Sequence, residues 1–317
     1  MTKYNFAYNL LDIFHADKKG QSMDGSSPTS GDAPRTTALT ADEILEFSHN
    51  GFLRPGRVLS NSGVAELRTH LDEARARGGE SDLLAKENWP EAEGGAPLEP
   101  GKSVGFLFNL WRTDPAFRAV AFEPTLAGWA SQLIGANALR LLEDNALFKE
   151  PGKGGELRWH QDYSYWPLAQ PNAITAWIAL DDVDIPNGAM QMAKGSHLRG
   201  EYLPAVFGTG ATYLREKRPA SMGAIGDPVA EGMDVEVVSM RAGEVSFHHS
   251  LTWHSSGPNV SDRPRRAHVI RYVADGTVWM GERRYEFNYT DDELGLQPGD
   301  RMGGDFFPLV PMGSHAT

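Results

Sequence analysis

Short apolar runs separated by turn residues fill the second half of the chain and constrain its fold more than any other feature. Clusters of Gly, Pro, Asn and Ser lie between the runs, for example at residues 151–155, 186–188 and 257–259. Short strands at such spacing are typical of an all-β barrel or a jelly roll. The predicted strands are residues 139–142, 146–149, 159–163, 174–180, 190–193, 235–239, 244–247 and 267–273.

The part of the chain before residue 139 has helical patterns and little strand. Thr40 followed three residues later by Glu43 predicts a capping box, and Gly51 predicts the end of that helix. Two further helices are predicted at residues 114–122 and 125–135. Helices followed by strands favour the α+β class, mainly β, with a sandwich core and helices packed on one face.

The sequence predicts a tail and one domain. Residues 1–38 include a Gly-, Ser-, Pro- and Asp-rich stretch typical of a flexible linker. We expect residues 39–317 to form a single domain, with a helical part at about 39–138 and a jelly-roll core at about 139–275. Two long polar segments, 78–103 and 201–234, are predicted to act as lids because long loops in compact domains are often functional.

Composition excludes several classes of function. With 30 basic against 42 acidic residues, the net charge of −12 argues against nucleic acid and anionic membrane as partners. No run approaches the roughly 18 apolar residues that span a bilayer. The chain has no cysteine, which excludes thiolate metal sites and a cysteine nucleophile. We therefore expect a cytoplasmic protein acting on a small molecule, with the oligomeric state open and a homo-oligomer included.

Two segments carry residues suited to metal chemistry. In Arg158-Trp159-His160-Gln161-Asp162, an extended strand would place His160 and Asp162 on one face. In the second segment, His254 precedes a Ser-Ser-Gly-Pro-Asn turn, and a hairpin there would bring Arg265 towards it.

These residues match one reaction class. Two imidazoles and one carboxylate form the facial triad of non-haem Fe(II), which leaves three positions for 2-oxoglutarate and O2. An arginine suits the far carboxylate of 2-oxoglutarate because its planar fork binds carboxylate bidentately. A closed structural zinc site takes four protein ligands, so the set is too small for one.

The chain resembles the phytanoyl-CoA dioxygenase (PhyH) family of Fe(II)/2-oxoglutarate oxygenases, which share a double-stranded β-helix (jelly-roll, cupin-like) core. The resemblance extends over about residues 39–273 and includes the order and spacing of both segments above. It implies His160, Asp162 and His254 as iron ligands and Arg265, eleven residues after the distal histidine, as the 2-oxoglutarate anchor. It also implies cosubstrate contacts for three further residues, Trp177, Ser256 and Asn145.

The sequence leaves the roles of several other residues open. Arg266 is the alternative anchor, since strand alternation lets only one of the two arginines face inward. His248 and His249 are interpreted as support or core groups. Aromatic side chains near the motifs are expected either to line a substrate pocket or to belong to the core: Tyr163, Tyr165, Trp166, Phe106, Phe108 and Trp111.

The resemblance implies a dioxygenase that oxidises a C–H bond and releases succinate and CO2. Halogenating relatives have a small residue in place of the acidic ligand, so Asp162 favours hydroxylation, desaturation, epoxidation or ring closure. No obvious basic cluster suits a coenzyme A phosphate, which favours a secondary-metabolite intermediate as substrate. Two alternatives are a metal-dependent hydrolase or isomerase on a cupin-like barrel and a catalytically silent binding module.

Overall fold

The computed structural model describes residues 33–77, 104–205, 222–281, 289 and 291–313. The predicted lid 78–103, most of the predicted tail and residues 206–221 of the second predicted lid lie outside these ranges, so those predictions stand as predictions. None of the helices within the described ranges has the length and apolar character needed to cross a bilayer.

Two antiparallel sheets form the centre of the fold. The strands are β1 (Phe52–Arg57), β2 (Gly105–Phe108), β3 (Leu139–Lys149), β4 (Leu157–His160), β5 (Ala173–Ala179), β6 (Met190–Ala193), β7 (Val235–Val238), β8 (Glu244–His249), β9 (His254–Ser256) and β10 (Arg265–Ala274). The larger sheet has the order β1-β8-β5-β10-β3-β2, and the smaller sheet has the order β4-β9-β6-β7. This arrangement confirms the predicted jelly-roll core with helices on one face.

The helices follow the predicted pattern. They are α1 (Ala41–Asn50), α2 (Asn61–Arg77), α3 (Leu110–Thr113), α4 (Pro115–Ala121), α5 (Pro124–Ile134) and α6 (Asp291–Leu294). Thr40 and Glu43 form the predicted capping box of α1. Gly51 ends that helix in the left-handed conformation at φ 83°, as predicted.

Side chains alternate between two cores along the larger sheet. On its outer face, Ile178 and Ile270 pack with Leu71 of α2 and Trp129 of α5. On its inner face, Trp177 packs in a cluster with residues of the smaller sheet. Full burial of each large apolar side chain contributes about 1.5–3 kcal/mol, so both faces of the larger sheet are fixed by packing.

Strand β3 is longer than predicted. The sequence predicts separate strands at 139–142 and 146–149, but β3 runs unbroken from Leu139 to Lys149. The polar residues between the two runs have polar partners on both faces, since Asp144 lies 2.8 Å from His268 and Glu143 lies 3.2 Å from Arg271. A search for apolar runs therefore misses the middle of this strand.

Candidate active site

A cavity lies between the inner faces of the two sheets. Two histidines from adjacent strands of the smaller sheet lie in it, because His160 at the end of β4 pairs directly with His254 at the start of β9. Asp162 follows β4 immediately. One ligand atom from each of the three residues lies within 4.8 Å of the others, and this is the one such group in the described part of the chain.

The placement of Asp162 differs from the prediction. We expected His160 and Asp162 to share a face of one extended strand, but β4 ends at His160. Asp162 has helical dihedrals, φ −62° and ψ −43°, and begins the short 3₁₀ turn Tyr163–Tyr165. This turn, rather than strand alternation, brings its Oδ1 to 4.0 Å from His160 Nε2 and 3.7 Å from His254 Nε2.

Both histidines present the same ring nitrogen to the cavity. Nδ1 of His160 lies 2.7 Å from the Arg158 carbonyl, and Nδ1 of His254 lies 3.0 Å from the Thr252 carbonyl. A carbonyl only accepts, so each Nδ1 carries the proton and each Nε2 has the lone pair that a metal needs. Burial lowers the pKa of both imidazoles, which favours the neutral, ligating form.

The Asp162 carboxylate is oriented from one side. Thr175 donates to its Oδ2 at 2.6 Å, and His248 Nε2 lies 3.2 Å from the same oxygen. Burial raises the pKa of Asp162, but the His248 hydrogen bond and the nearby His254 and Arg271 outweigh it and hold the pKa well below its ordinary value. The ionised carboxylate thus directs Oδ1 towards the two histidines.

Arg265 reaches the cavity by a different route from the one predicted. We expected a hairpin, but β9 belongs to the smaller sheet and β10 to the larger, so the chain crosses between sheets after His254. Arg265 is 1% exposed and approaches from the opposite wall. Its Nη1 donates to the Gly188 carbonyl at 2.7 Å, and its Cζ lies 5.3 Å from the Trp177 ring centre.

The neighbouring arginine faces away. Arg266 lies on the outer face of β10, where its guanidinium pairs with Asp181 at 3.0 Å and approaches Asp72 at 3.5 Å. Strand alternation therefore separates the two candidates for the cosubstrate anchor, and only Arg265 lines the cavity.

Several polar groups surround Arg265. Lys149, which pairs with Arg265 across the strands, donates to Ser256 Oγ at 2.8 Å. Burial, followed by the Arg265 charge, lowers the pKa of Lys149 to about 5. Within the described residues, Nε of Arg265 and both amide atoms of Asn145 are buried without a hydrogen-bond partner. The donors Arg265 Nε and Asn145 Nδ2 fit an incoming carboxylate, which accepts hydrogen bonds, whereas Asn145 Oδ1 needs a donor.

The aromatic residues divide into two groups. Phe106 and Phe108 stack on each other at 5.8 Å and line the cavity, as do Tyr165 and Trp166. The other two do not. Tyr163 belongs to the same apolar cluster as Tyr165 and Trp166 but does not line the cavity, and its hydroxyl donates to the Leu168 carbonyl.

Trp111 does not line the cavity either. It follows β2 on helix α3 and packs in the core between the larger sheet and the helices. The alternation that points Phe106 and Phe108 inward ends with β2, so Trp111 does not continue that face.

Sequence reasoning missed three titratable residues of the cavity region: Lys149, Glu143 and Arg271. Each lies on a strand and directly follows an apolar residue. Arg271 follows Arg265 by six positions, and an even spacing on a strand places both on one face. That spacing is a signal by which Arg271 can be found from sequence.

Comparison with known proteins agrees with this geometry. The family model for phytanoyl-CoA dioxygenase (PhyH) matches residues 47–267. An ectoine dioxygenase of Bordetella parapertussis is 26% identical over 278 residues, which cover 84% of this chain and 83% of that protein. A phytanoyl-CoA dioxygenase of Arabidopsis thaliana is 25% identical over 271 residues, covering 77% and 92% of the two chains.

Two solved structures are similar over nearly their whole length. The non-haem alpha-ketoglutarate-dependent carbocyclase SnoK from nogalamycin biosynthesis has a TM-score of 0.67 and 27% identity, covering 86% of this chain and 96% of its own. The epimerase SnoN, in complex with Fe3+, alpha-ketoglutarate and nogalamycin RO, has a TM-score of 0.65 and 26% identity, with coverage of 84% and 97%.

Proposed function

Because the chain belongs to the phytanoyl-CoA dioxygenase (PhyH) family, we propose that its cavity oxidises a C–H bond of a small metabolite. The enzyme class is that of the non-haem iron, 2-oxoglutarate-dependent dioxygenases. One observation carries the proposal: His160, Asp162 and His254 meet in a cavity whose opposite wall presents the buried Arg265.

The donor set fits the cofactors of this class. His160, Asp162 and His254 would hold Fe(II), as two imidazoles and one carboxylate do in facial triads. Arg265 would bind the far carboxylate of 2-oxoglutarate. Iron and 2-oxoglutarate, when bound, supply the activation of O2 with release of succinate and CO2. The chain supplies orientation and exclusion of water.

The groups around Arg265 would orient the cosubstrate. Ser256 Oγ accepts from Lys149, which leaves its own proton available for a carboxylate oxygen. The Trp177 ring lies against the Arg265 guanidinium, and the Asn145 amide offers a further donor and acceptor. At this end of the cavity, the cosubstrate would thus contact the Arg265 guanidinium, the Ser256 hydroxyl and the Asn145 amide.

The rest of the cavity favours an apolar or aromatic substrate body. Its walls include Phe106, Phe108, Tyr165 and Trp166. A secondary-metabolite intermediate agrees with these walls, and the names of two structural relatives place them in nogalamycin biosynthesis. These relatives are named as an alpha-ketoglutarate-dependent carbocyclase and epimerase, so hydroxylation is one of several outcomes to consider for this chain.

The Asp162→Ala variant tests the ligand assignment. We expect it to lose Fe(II)-dependent succinate release from 2-oxoglutarate, because the iron site keeps only its two imidazoles. Asp182→Ala is the matched control, since Asp182 pairs with Arg241 at 2.9 Å outside the cavity. Undiminished succinate release by Asp162→Ala would show that iron binds elsewhere.

O2 consumption separates the dioxygenase from a hydrolase on the same fold. The wild-type chain with Fe(II) is expected to take up O2 when 2-oxoglutarate is added. A metal-dependent hydrolase or isomerase would convert its substrate without that uptake, and a silent binding module would show neither reaction.

A further inference from the structure

Two oppositely charged side chains, the buried Glu143 and the partly buried Arg271, line the cavity and are not among the groups proposed to hold the cofactors. Glu143 on β3 and Arg271 on β10 are directly opposite each other in the strand register. Arg271 also pairs with Thr175 on its other side, and Thr175 donates to Asp162 Oδ2 at 2.6 Å. The Glu143–Arg271 pair therefore lies next to the metal triad, in the same cross-strand row.

A β-bulge puts Glu143 on this face. The register steps from Arg271 opposite Glu143 to Tyr272 opposite Leu141, so Leu142 is an extra residue on β3. Without it, Glu143 would share the outer face with Leu141, which packs in the core beneath the helices. Bulges of this kind re-aim side chains beside active sites.

The pair is incompletely satisfied. Nη1 of Arg271 lies 3.2 Å from Oε1 of Glu143. Glu143 Oε2, Arg271 Nε and Arg271 Nη1 are buried, and none of the three has a hydrogen-bond partner in the described part of the chain, so the 3.2 Å approach is an ion pair without a hydrogen bond. The Glu143 side chain is only 4% exposed. Buried polar atoms without partners are rare in folded proteins, and a bound ligand is one way to satisfy them.

The side-chain atoms of Glu143 and Arg271 that have no hydrogen-bond partner indicate which chemical group a ligand would present to them. Arg271 offers a donor and Glu143 an acceptor, so a complementary group needs an acceptor and a donor side by side. The two side-chain charges cancel, and a carboxylate on the ligand would face the Glu143 carboxylate as well as the guanidinium. An uncharged group with both functions, such as an amide or a hydroxy-carbonyl, meets neither repulsion nor an unpaired atom.

The surroundings specify the remainder of the ligand. Arg271 lies 5.7 Å from the Trp166 ring centre, and both residues line the cavity together with Phe106 and Phe108. An aromatic or apolar body would pack against these rings while its polar group reaches the pair.

We propose that Glu143 and Arg271 bind the substrate, and that the substrate is an apolar or aromatic metabolite with an uncharged donor–acceptor group near its oxidised carbon. This inference rests on the proposed function, because it takes the His160–Asp162–His254 triad as the reaction centre. The pair would orient the substrate towards that triad.

Three isosteric probes test the inference: 2-naphthamide with donor and acceptor, 2-acetonaphthone with acceptor alone, and 2-naphthoate with a negative charge. Each is titrated calorimetrically, without O2, into the full chain loaded with Fe(II) and 2-oxoglutarate. The titration is run at about pH 8, because burial raises the pKa of Glu143 to about 7 against the opposing effect of Arg271. We expect the amide to bind at least about tenfold more tightly than either other probe, the difference that one good hydrogen bond makes.

The Glu143→Gln variant provides the decisive comparison. Its Arg271 charge is no longer cancelled, so we expect the order to invert, with 2-naphthoate binding more tightly than 2-naphthamide. A general loss of folding cannot invert an order of affinities. Glu236→Gln is the matched control, because Glu236 pairs with Arg54 outside the cavity, and it should keep the wild-type order.

The outcomes separate the two claims. Suppose that the wild-type chain turns over 2-oxoglutarate, but 2-naphthamide does not bind or does not bind more tightly than both other probes. The substrate inference is then overturned, while the proposed function stands. An unchanged order in Glu143→Gln also overturns the substrate inference. If the wild-type chain neither binds nor turns over 2-oxoglutarate with Fe(II), the proposed function itself fails.

Discussion

Strand β10 carries two arginines on one face, the buried Arg265 and the partly buried Arg271, and they differ in what balances their charge. Arg265 and Arg271 are six residues apart, about 20 Å along a strand. Arg271 lies 3.2 Å from the Glu143 carboxylate. Arg265 has no carboxylate within ion-pair distance in the described ranges, and its Nη1 donates only to a backbone carbonyl.

This difference predicts different ligands at the two ends of the cavity. A buried guanidinium without a counter-charge is costly, and burial lowers the pKa of Arg265 to about 9. It still carries its charge at neutral pH, so a bound anion would stabilise it. Above about pH 7, where Glu143 is ionised, its carboxylate balances the Arg271 charge, and an anion would gain less there. We therefore propose that the two arginines on this strand have different roles, with Arg265 binding an anion and Arg271 forming, with Glu143, a pair that recognises an uncharged group.

The largest effect is expected at Arg265. In Arg265→Met, the cosubstrate carboxylate loses its cation, and removing one member of a buried charge pair costs about 2–5 kcal/mol. The KM for 2-oxoglutarate in succinate release should rise at least about 30-fold. Arg266→Met is the matched control on the outer face and should keep the wild-type value. A normal KM in Arg265→Met would place the anchor elsewhere.

A somewhat smaller effect, on Fe(II) binding, is expected at Thr175. This residue is opposite Arg271 in the strand register and donates to the proposed iron ligand Asp162. Thr175→Val keeps the shape but removes the donor to Asp162 Oδ2. Loss of a group that orients a metal ligand typically weakens metal binding about 10- to 100-fold. The Fe(II) dissociation constant, measured without O2, checks this. The exposed Thr69→Val on α2 should leave it unchanged, and an equal loss in both variants would contradict the assigned role.

Replacing Lys149 should raise the KM for 2-oxoglutarate less than replacing Arg265, although both residues lie at the same end of the cavity. Lys149→Met removes the donor to Ser256 Oγ, and losing a buried hydrogen bond costs about 1–3 kcal/mol. We expect the KM for 2-oxoglutarate to rise roughly tenfold. Lys194→Met is the control, because Lys194 pairs with Asp234 and Glu236 outside the cavity. A larger effect than that of Arg265→Met would reverse the assignment of the anchor.

The smallest effect is expected for Arg35, which lies outside the cavity and pairs with Glu43, and it concerns the free energy of unfolding. The hydrogen bond from Arg35 leads the effects that lower the pKa of Glu43 from 4.5 to about 2. Its stabilisation is therefore present above about pH 4.5 and is lost as the pH falls towards 2. Arg35→Met should cost no more than about 1 kcal/mol in unfolding free energy near neutrality.

Unfolding by urea at several pH values checks the Arg35 prediction. The difference between wild type and Arg35→Met should shrink as the pH falls below 4.5, and the KM for 2-oxoglutarate should not change. A difference that grows in acid would contradict the sign.

Sequence alone predicts the residues of this site better than their geometry. His160, Asp162 and His254 could be grouped because residue type and order specify a reaction class. The turn that directs Asp162 inward could not be predicted, because strand alternation offers an equally good local explanation. The crossing of the chain before Arg265 depends on which sheet each strand joins, and this is decided by packing over the whole domain.

Glu143 shows a second limit. Its face depends on the bulge at Leu142, and a one-residue change of register moves every following side chain to the other face. The sequence around it, Leu141-Leu142-Glu143-Asp144-Asn145, has no residue type that specifies the bulge. The two carboxylates therefore look alike in sequence, although Glu143 faces Arg271 and Asp144 faces His268.

A crystal structure of the chain with Fe(II) and 2-oxoglutarate, grown without O2, tests the division between the two arginines most directly. We predict iron on His160, Asp162 and His254, the far carboxylate of 2-oxoglutarate on Arg265, and the Glu143–Arg271 pair still formed. A 2-oxoglutarate carboxylate on Arg271, with Glu143 displaced, would contradict this account.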